Sequence, residues 1–162
     1  MDIISTGRWP SCALSNFAYH PFFIDGVECL SMEGFLQSLH YKSINKQREI
    51  CKLYGKEAKA AGYGSRWKEK QELHWNGNVY DRHSERYSNL LNRAYNELYT
   101  NPEVREALNA TKGQWLTHAI GSNSEKDTIL TVKEFCTRLM YLRDIGPLPV
   151  TEEKIYIENT LF

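Results

Sequence analysis

Apolar and polar positions are segregated at helical spacing along residues 31–40. The apolar positions follow the i, i+3, i+4, i+7 pattern of one helix face: Met32, Phe35, Leu36 and Leu39. Glu33, Gln37 and His40 recur at i, i+4 and i+7 and share the neighbouring stripe. The pattern predicts a helix that starts at Ser31, packs one side into a core and presents a carboxylate, an amide and an imidazole on the other.

The residues before this helix predict a β-hairpin. Two short runs with apolar residues, 21–24 and 27–30, flank the dipeptide Asp25-Gly26. Asp-Gly between such runs is the strongest short-range hairpin signal, because both turn positions favour a left-handed backbone. We take the hairpin and the following helix as the element around which the chain is organised.

Further helices are predicted by apolar spacing and by glycine or proline at their ends: 45–54, 56–61, 79–99, 103–110 and 132–144. Short extended segments are predicted at 1–9, 115–120 and 155–157. Few strands with many helices between them indicate an α+β, mainly helical fold with a small sheet. We predict one domain over residues 1–146 and a C-terminal tail, 147–162, packed on it.

Composition narrows the function classes. A chain of 162 residues suits a single domain, and its 20 basic and 20 acidic residues cancel, which excludes a global positive field but leaves room for a local basic patch. The ten tyrosines suit either a base-stacking groove or an ordinary core. We find no signal peptide and no apolar run long enough to cross a membrane, and therefore expect a cytoplasmic protein.

The cysteines and lysines give no sign of a metal or cofactor. The four cysteines are scattered without a CxxC pair or a histidine at zinc-ligand spacing, so we expect reduced thiols, no metal and no cofactor. Residues 55–59 bring two lysines near a glycine-led helix start, which can hold an anion. The spacing of a P-loop is missing, and a solvated basic helix face is the favoured interpretation.

Glu33 is the candidate for chemistry, since no nucleophile–base, metal or dinucleotide signature occurs. Cleavage of an N-glycosidic C–N bond needs one carboxylate to stabilise an oxocarbenium-like centre and orient a water. Aromatic rings would sandwich the base, and Asn or Gln would bind its edge. The alternative is that Glu33 only complements the helix dipole, which stabilises a helix by ~0.3–1 kcal/mol. Residue types alone favour that alternative.

A resemblance to a known family favours the catalytic interpretation of Glu33 over the structural one. Leu14-Ser15-Asn16-Phe17, the Asp25-Gly26 hairpin and Ser31-x-Glu33-x-x-x-Gln37 resemble the opening signature of the NADAR family of YbiA-like proteins. The pattern Gly55-x-x-Ala58-Lys59-x-x-Gly62 is similar to the second block of that family, and residues 139–143 are similar to its C-terminal helix. The resemblance spans most of residues 8–143, and residues 118–121 and 129–135 resemble a divergent, phage-type branch.

The resemblance implies an α+β, helix-rich N-glycosidase that acts on a ribosylamino-pyrimidine or an ADP-ribosylated guanine. Glu33 would be catalytic, Asn16 and Gln37 would position the ribose or base, and Arg8 and Lys59 would meet phosphate. The other implied substrate contacts are Ser15, Phe17, Trp75 and His118. The implied partner is a nucleotide-like small molecule or an ADP-ribosylated nucleic-acid base, and not a membrane.

Departures from that family keep other functions open. His40 stands where the family usually has lysine, and residues 121–124 replace its D-x-x-W-G loop. One alternative is a catalytically impaired module that binds ADP-ribose or a nucleotide, and another is a protein-interaction domain with a vestigial pocket. The balanced charge argues against a sequence-independent grip on long DNA, but not against a base at a DNA end or in a single strand.

Overall fold

Eight helices and two small hairpins form the part of the chain that the computed structural model describes, which is residues 1–152. The helices are α1 Ser11–Leu14, α2 Met32–Ser38, α3 Ile44–Cys51, α4 Gly55–Ala61, α5 Trp67–Lys70, α6 Glu85–Tyr99, α7 Pro102–Asn109 and α8 Val132–Asp144. The antiparallel hairpins pair β1 Phe22–Ile24 with β2 Val27–Cys29, and β3 Glu72–Trp75 with β4 Asn78–Asp81. The predicted α+β, helix-rich class is confirmed.

The first hairpin forms as predicted. Asp25 and Gly26 both adopt positive φ, 49° and 78°, which is the backbone that a two-residue turn of the I′ type requires. The register pairs Phe22 with Cys29, and both side chains are buried. The short strands therefore deliver the chain directly to the start of α2.

Helix α2 joins the hairpin to α3. The predicted apolar face is buried: Met32, Phe35, Leu36 and Leu39. The fully buried Ser31 hydroxyl accepts a bond from Gly34 N at 2.9 Å and donates one to Leu53 O at 2.9 Å. A Cβ on Gly34 would lie 2.7 Å from that same Leu53 oxygen, so glycine allows the close approach. These contacts fix where the first turn of α2 lies relative to α3.

The predicted helix over 79–99 is wrong in its first six residues. Asn76 and Gly77 form a second turn with positive φ, 51° and 88°, between β3 and β4. Along β4, burial alternates with period two, so Tyr80 enters the core from a strand. Helix α6 starts only at Glu85, where Ser84 Oγ accepts from Tyr87 N at 3.1 Å.

The other elements match their predictions to different degrees. Helix α8 forms over the predicted residues, while α3, α4 and α7 shift by one to three residues at their ends. The predicted extended segments at 1–9 and 115–120 form no strand, although an isolated bridge between Asp2 and Thr117 pairs them. Helix α1, over Ser11–Leu14, is not among the predicted elements. The predicted piece at 155–157 lies outside the described residues.

Arg82 links the second hairpin to the start of α8. Its side chain is buried, and its Nε donates to Thr128 O at 2.9 Å. Its two terminal nitrogens donate to Glu134, at 2.7 and 3.2 Å. Glu134 also accepts from Thr131 N at 2.8 Å, and Thr131 Oγ1 accepts from Glu134 N at 3.0 Å, which is a capping box. One arginine thus fixes the whole segment 128–134.

The start of the predicted tail lies along α6. Asn89, Asn92 and Asn96 stand at i, i+3 and i+7 and bond the backbone of residues 148–151. The amides of Asn96 and Asn89 also accept from the backbone of that segment, at 2.6 and 2.9 Å. Leu148 is buried between these contacts. The chain is therefore held against the body at least as far as residue 151.

We expect Glu134→Ala to lower the free energy of unfolding by about 3 kcal/mol. The change leaves the half-exposed Glu125, 3.5 Å away, as the one carboxylate that pairs with the buried Arg82 among residues 1–152. Breaking a buried ion pair typically costs about 3–5 kcal/mol. Urea denaturation measures the loss. The control is Glu69→Ala, because its partner Arg66 is exposed and such pairs contribute about 0–1 kcal/mol. Equal losses in both variants would contradict this role of Arg82.

Candidate functional site

A cavity of about 420 Å³ opens between α2, α4 and the segments that precede α8. This volume lies within the range of small-molecule sites, about 300–1,000 Å³. Its lining comes from parts of the chain that are far apart in sequence: Ser5, Ser15, Asn16, Phe17, Glu33, Leu36, Gln37, Lys59, His118, Ile120, Gly121, Ser122, Thr128, Ile129, Leu130, Thr131 and Phe135. Glu33 is the one carboxylate among these described lining residues.

Most of the residues singled out from the sequence meet around this cavity: Ser15, Asn16, Phe17, Glu33, Gln37, Lys59 and His118. Arg8 and Trp75 do not line it. Arg8 is exposed on the loop before α1. Trp75 belongs to the core, where its ring lies edge-on to Phe35 at 4.9 Å and its Nε1 donates to Asp25 at 2.9 Å. The structure therefore gives neither residue the substrate contact that the resemblance implied.

Glu33 is positioned by the first turn of α2. Its backbone N donates to Asn16 O at 2.9 Å, and its Oε1 accepts from Gln37 Nε2 at 2.7 Å, one helical turn further on. Burial raises the pKa of the Glu33 carboxyl above its ordinary value. The Gln37 amide, Lys59 and His118 pull that pKa down, but burial outweighs them. The carboxyl thus holds a proton more tightly than an exposed glutamate does.

Gln37 is held in place by the end of α4. A Cβ on Gly62 would overlap the Gln37 Oε1 atom, so the missing side chain leaves room for the amide. The Gln37 carbonyl therefore faces Gly62 while its nitrogen faces Glu33. The same Cβ would lie 2.8 Å from His40 Nδ1. Glycine at position 62 is thus what lets α4 approach α2 beside the site.

His40 lies behind the site, although it shares the predicted polar stripe of α2. It follows the end of the helix, and its ring lies parallel to Trp67 with centroids 6.1 Å apart. Both ring nitrogens are buried and without a hydrogen-bond partner among residues 1–152. Burial lowers the pKa of His40 to about 4, so the ring is neutral at physiological pH. His40 does not line the cavity.

Asn16 and His118, which both line the cavity, are each oriented by one hydrogen bond. The Asn16 Oδ1 accepts from the buried Tyr95 hydroxyl at 2.8 Å, which leaves its Nδ2 as the donor. The His118 Nδ1 lies 2.8 Å from Ile3 O, so this nitrogen carries a proton and Nε2 is left for a ligand. The His118 ring meets Phe135 edge-on at 5.5 Å. Each side chain thus presents one defined polar group.

The wall formed by residues 120–122 and 128–131 was not predicted from the sequence. It contributes the Ser122, Thr128 and Thr131 side chains, and its one local signal is the N-cap of α8. The first amides of α8 are already used, because Val132 N bonds Ser122 O at 2.9 Å and Glu134 N bonds Thr131. This helix start therefore does not serve as an anion site.

Other classes of site find no support within the described chain. No group of three or more His, Cys, Asp or Glu side chains in residues 1–152 could hold a metal ion. All four cysteines are free thiols, and three of them are buried. Within the same residues, every helix is too short or too polar to cross a bilayer.

Two comparisons with known proteins identify relatives. The family model described as bacteriophage protein GP30.3 matches residues 8–144. A protein of Enterobacteria phage T4, named "Uncharacterized 17.1 kDa protein in Gp30-rIII intergenic region", is 44% identical over 147 residues, which cover 89% of this chain and 97% of the relative. No solved structure matches the chain.

These matches correct the resemblance described from the sequence. The assignment to the NADAR family of YbiA-like proteins is wrong, because the family model that covers the chain is the bacteriophage one. The hydrolase and ADP-ribose terms that came with that assignment lose their support as well. A phage protein, which the resemblance also implied, is supported by both matches.

We expect Glu33→Gln to stabilise the fold at high pH and to have little effect at low pH. Below the ordinary glutamate pKa of about 4.3, Glu33 is neutral in both the folded and unfolded states, so the two proteins are equivalent. Above the raised native pKa, the wild type keeps a charge in a partly buried site, and the variant does not. Thermal unfolding from about pH 4 to pH 8 measures the difference.

The matched control for this measurement is Glu57→Gln, because Glu57 is exposed on α4. Its effect on stability should be small, because the side chain is exposed to solvent. A Glu33→Gln difference that stays constant across the range, or that shrinks as the pH rises, would contradict the raised pKa.

Proposed function

The chain belongs to the bacteriophage GP30.3 protein family, and we propose that it hydrolyses the C–N bond between a ribose and its base, with Glu33 as the catalytic carboxylate. The observation that carries the proposal is a single partly buried carboxyl with a raised pKa, in a cavity that also offers amides, hydroxyls and two basic side chains. We place this activity in the cytoplasm of the host cell.

One carboxylate is enough for this reaction. As the base leaves, positive charge develops on C1′ and the ring oxygen of the ribose, and an ionised carboxylate beside them stabilises it. The Glu33 Oε1 is oriented by Gln37, so Oε2 is the oxygen available to orient a water. The water adds OH to C1′, and its second proton completes the released base. Partial burial strengthens the attraction, since little solvent screens it.

The other lining residues suit the parts of such a substrate. Phe17 and Phe135 offer ring surface to a base, and the Nδ2 of Asn16 offers a donor to its edge. Since the His118 Nδ1 donates to Ile3 O, we assign His118 Nε2 to accept a hydrogen bond from a hydroxyl of the ribose. Lys59 is exposed at the cavity, with its amine 6.0 Å from the Phe17 ring, and suits a phosphate on the ribose.

A second candidate function is a module that binds a nucleotide without cleaving it. The observation that favours it is that the described lining holds one carboxylate, whereas most glycosidases use two. Both functions place the same ligand in the same cavity. They differ in whether Glu33 does chemistry or only contributes to binding.

We expect wild type to release free base from at least one member of a panel of nucleosides and nucleoside monophosphates. Glu33→Gln should lower the rate by about 10²–10³-fold, the loss typical when one preorganised electrostatic group is removed. The variant should keep ligand affinity, since its amide still accepts from Gln37. Mass spectrometry measures the released base, and a thermal shift with the same compounds measures binding.

Glu57→Gln is again the matched control and should retain wild-type activity. The wild-type rate should fall as the pH drops through the raised pKa of Glu33, because the carboxyl then becomes neutral. Ligand-induced thermal shifts without release of base would favour the binding module. Neither release nor a thermal shift with any compound of the panel would overturn both functions.

A further inference from the structure

Basic charge is concentrated in one stretch of the chain. Residues 42–70 hold nine lysines and arginines against three glutamates, although the whole chain holds twenty of each sign. All nine basic side chains are exposed. The rest of the chain carries the opposite excess. The zero net charge of the protein is therefore the sum of a strongly positive stretch, residues 42–70, and a negative excess in the other residues.

This stretch forms α3, α4, α5 and their connections, which pack beside α2. We call the exposed side chains of α3, α4 and the loops that flank them, residues 42–66, the basic face. Among residues 1–152, the ion pairs of the stretch 42–70 are those of Arg66 with Glu69 and of Lys68 with Asp127. Lys46, Lys52 and Lys56 make no ion pair there, so their charges are available to a partner.

Exposed aromatic rings are interleaved with these charges. Tyr54 is 53% exposed at the start of α4, and Tyr63 is 69% exposed just after its end. Tyr19 meets the Tyr54 ring edge-on at 5.2 Å, and the Lys46 amine lies 4.5 Å from the centroid of Tyr41. Rings that alternate with cations are the surface on which unpaired bases stack while their phosphates are neutralised.

The basic face continues into the cavity. Lys59 belongs to both, since it is exposed on α4 and also lines the cavity. The loop that carries Phe17 is bonded to the start of α4 through Gly55 N and Phe17 O, at 3.0 Å. Helix α4 is seven residues long, about 10 Å, so Tyr54 and Tyr63 lie at opposite ends of the helix that carries Lys59.

We propose that the basic face binds single-stranded nucleic acid, with one base of the strand turned into the cavity beside Glu33. The seating of that base rests on the proposed function; the binding of the strand does not. A duplex fits poorly, because a base must leave its stack to reach Glu33. The exposed tyrosines also stack more readily on unpaired bases than on paired ones. An anionic membrane would use the lysines but would not need exposed rings between them or a base-sized cavity at Lys59.

The test measures the affinity for a fluorescein-labelled oligothymidylate and an oligouridylate of about twelve nucleotides, from about 50 to 200 mM salt. Wild type should bind at least one of them, and the preferred strand distinguishes DNA from RNA. The double variant Lys52→Gln/Lys56→Gln should reduce the slope of log K against log salt by about 1.4, since each lost phosphate contact in a single strand contributes about 0.7. Tyr54→Ala should weaken binding roughly tenfold.

The matched control is Lys112→Gln/Lys133→Gln, which removes the same charge from exposed positions outside the basic face and should keep the wild-type slope. The proposal is overturned if wild type binds neither strand at the lowest salt, or if both double variants have the same slope. Equal affinity for a matched duplex, or binding to phosphatidylserine vesicles in place of the oligonucleotides, would overturn it as well.

The experiments distinguish a failure of nucleic-acid binding by the basic face from a failure of the glycosidase function. The salt dependence of strand binding and its change in Lys52→Gln/Lys56→Gln are measured without any turnover. Strand binding that depends on Lys52 and Lys56, together with no release of base from any substrate, would overturn the glycosidase function alone. Release of base from free nucleosides by a protein that binds neither strand would overturn the basic face as a nucleic-acid surface and leave the glycosidase function.

Discussion

Burying the guanidinium group of Arg82 removes a full charge from water, and the fold depends on how that cost is offset. Thr128 and Glu134 satisfy the group from the segment that leads into α8, and Glu134 also caps that helix. The neighbouring Tyr87 hydroxyl donates to Ile129 O at 2.6 Å, so a second buried side chain holds the same segment. This segment is one wall of the cavity. The site therefore has its shape because a buried cation on the second hairpin must be matched by a distant loop.

The opposite wall is α2, which serves the core and the cavity at once. Its apolar stripe anchors the helix, and the buried Ser31 hydroxyl ties the first turn to the chain after α3. Glu33 is therefore held at a partly buried position, and burial raises the pKa of its carboxyl. Carboxyl groups whose pKa is shifted by burial are common at functional sites. The basic face contributes to the same cavity, because its Lys59 is exposed on α4 and lines the cavity that holds that carboxyl.

The correction of the family assignment has a physical explanation. A serine followed by Glu33 and Gln37 is what an N-capped helix with an i, i+4 hydrogen-bonded pair requires, and Asp25-Gly26 is what a tight hairpin requires. Helices and hairpins in unrelated proteins share these requirements. A short sequence motif that consists of such residues predicts the helix and the hairpin correctly, but it does not show that two proteins share an ancestor. The bacteriophage family model spans residues 8–144 and therefore carries far more information than the motif does.

The sequence by itself determined the parts whose signals lie within a few residues of one another. These are the first hairpin, the two faces of α2 and the capped start of α8, all set by turn chemistry and helical spacing. Only the tertiary structure decided that Tyr80 lies on a strand, that Trp75 belongs to the core and that Arg82 holds residues 128–134. It also decided that Lys59 of α4 lines the cavity of Glu33. Those outcomes depend on contacts between residues that are tens of positions apart, such as Arg82 and Glu134, which are separated by 52 positions. Local periodicity therefore cannot predict them.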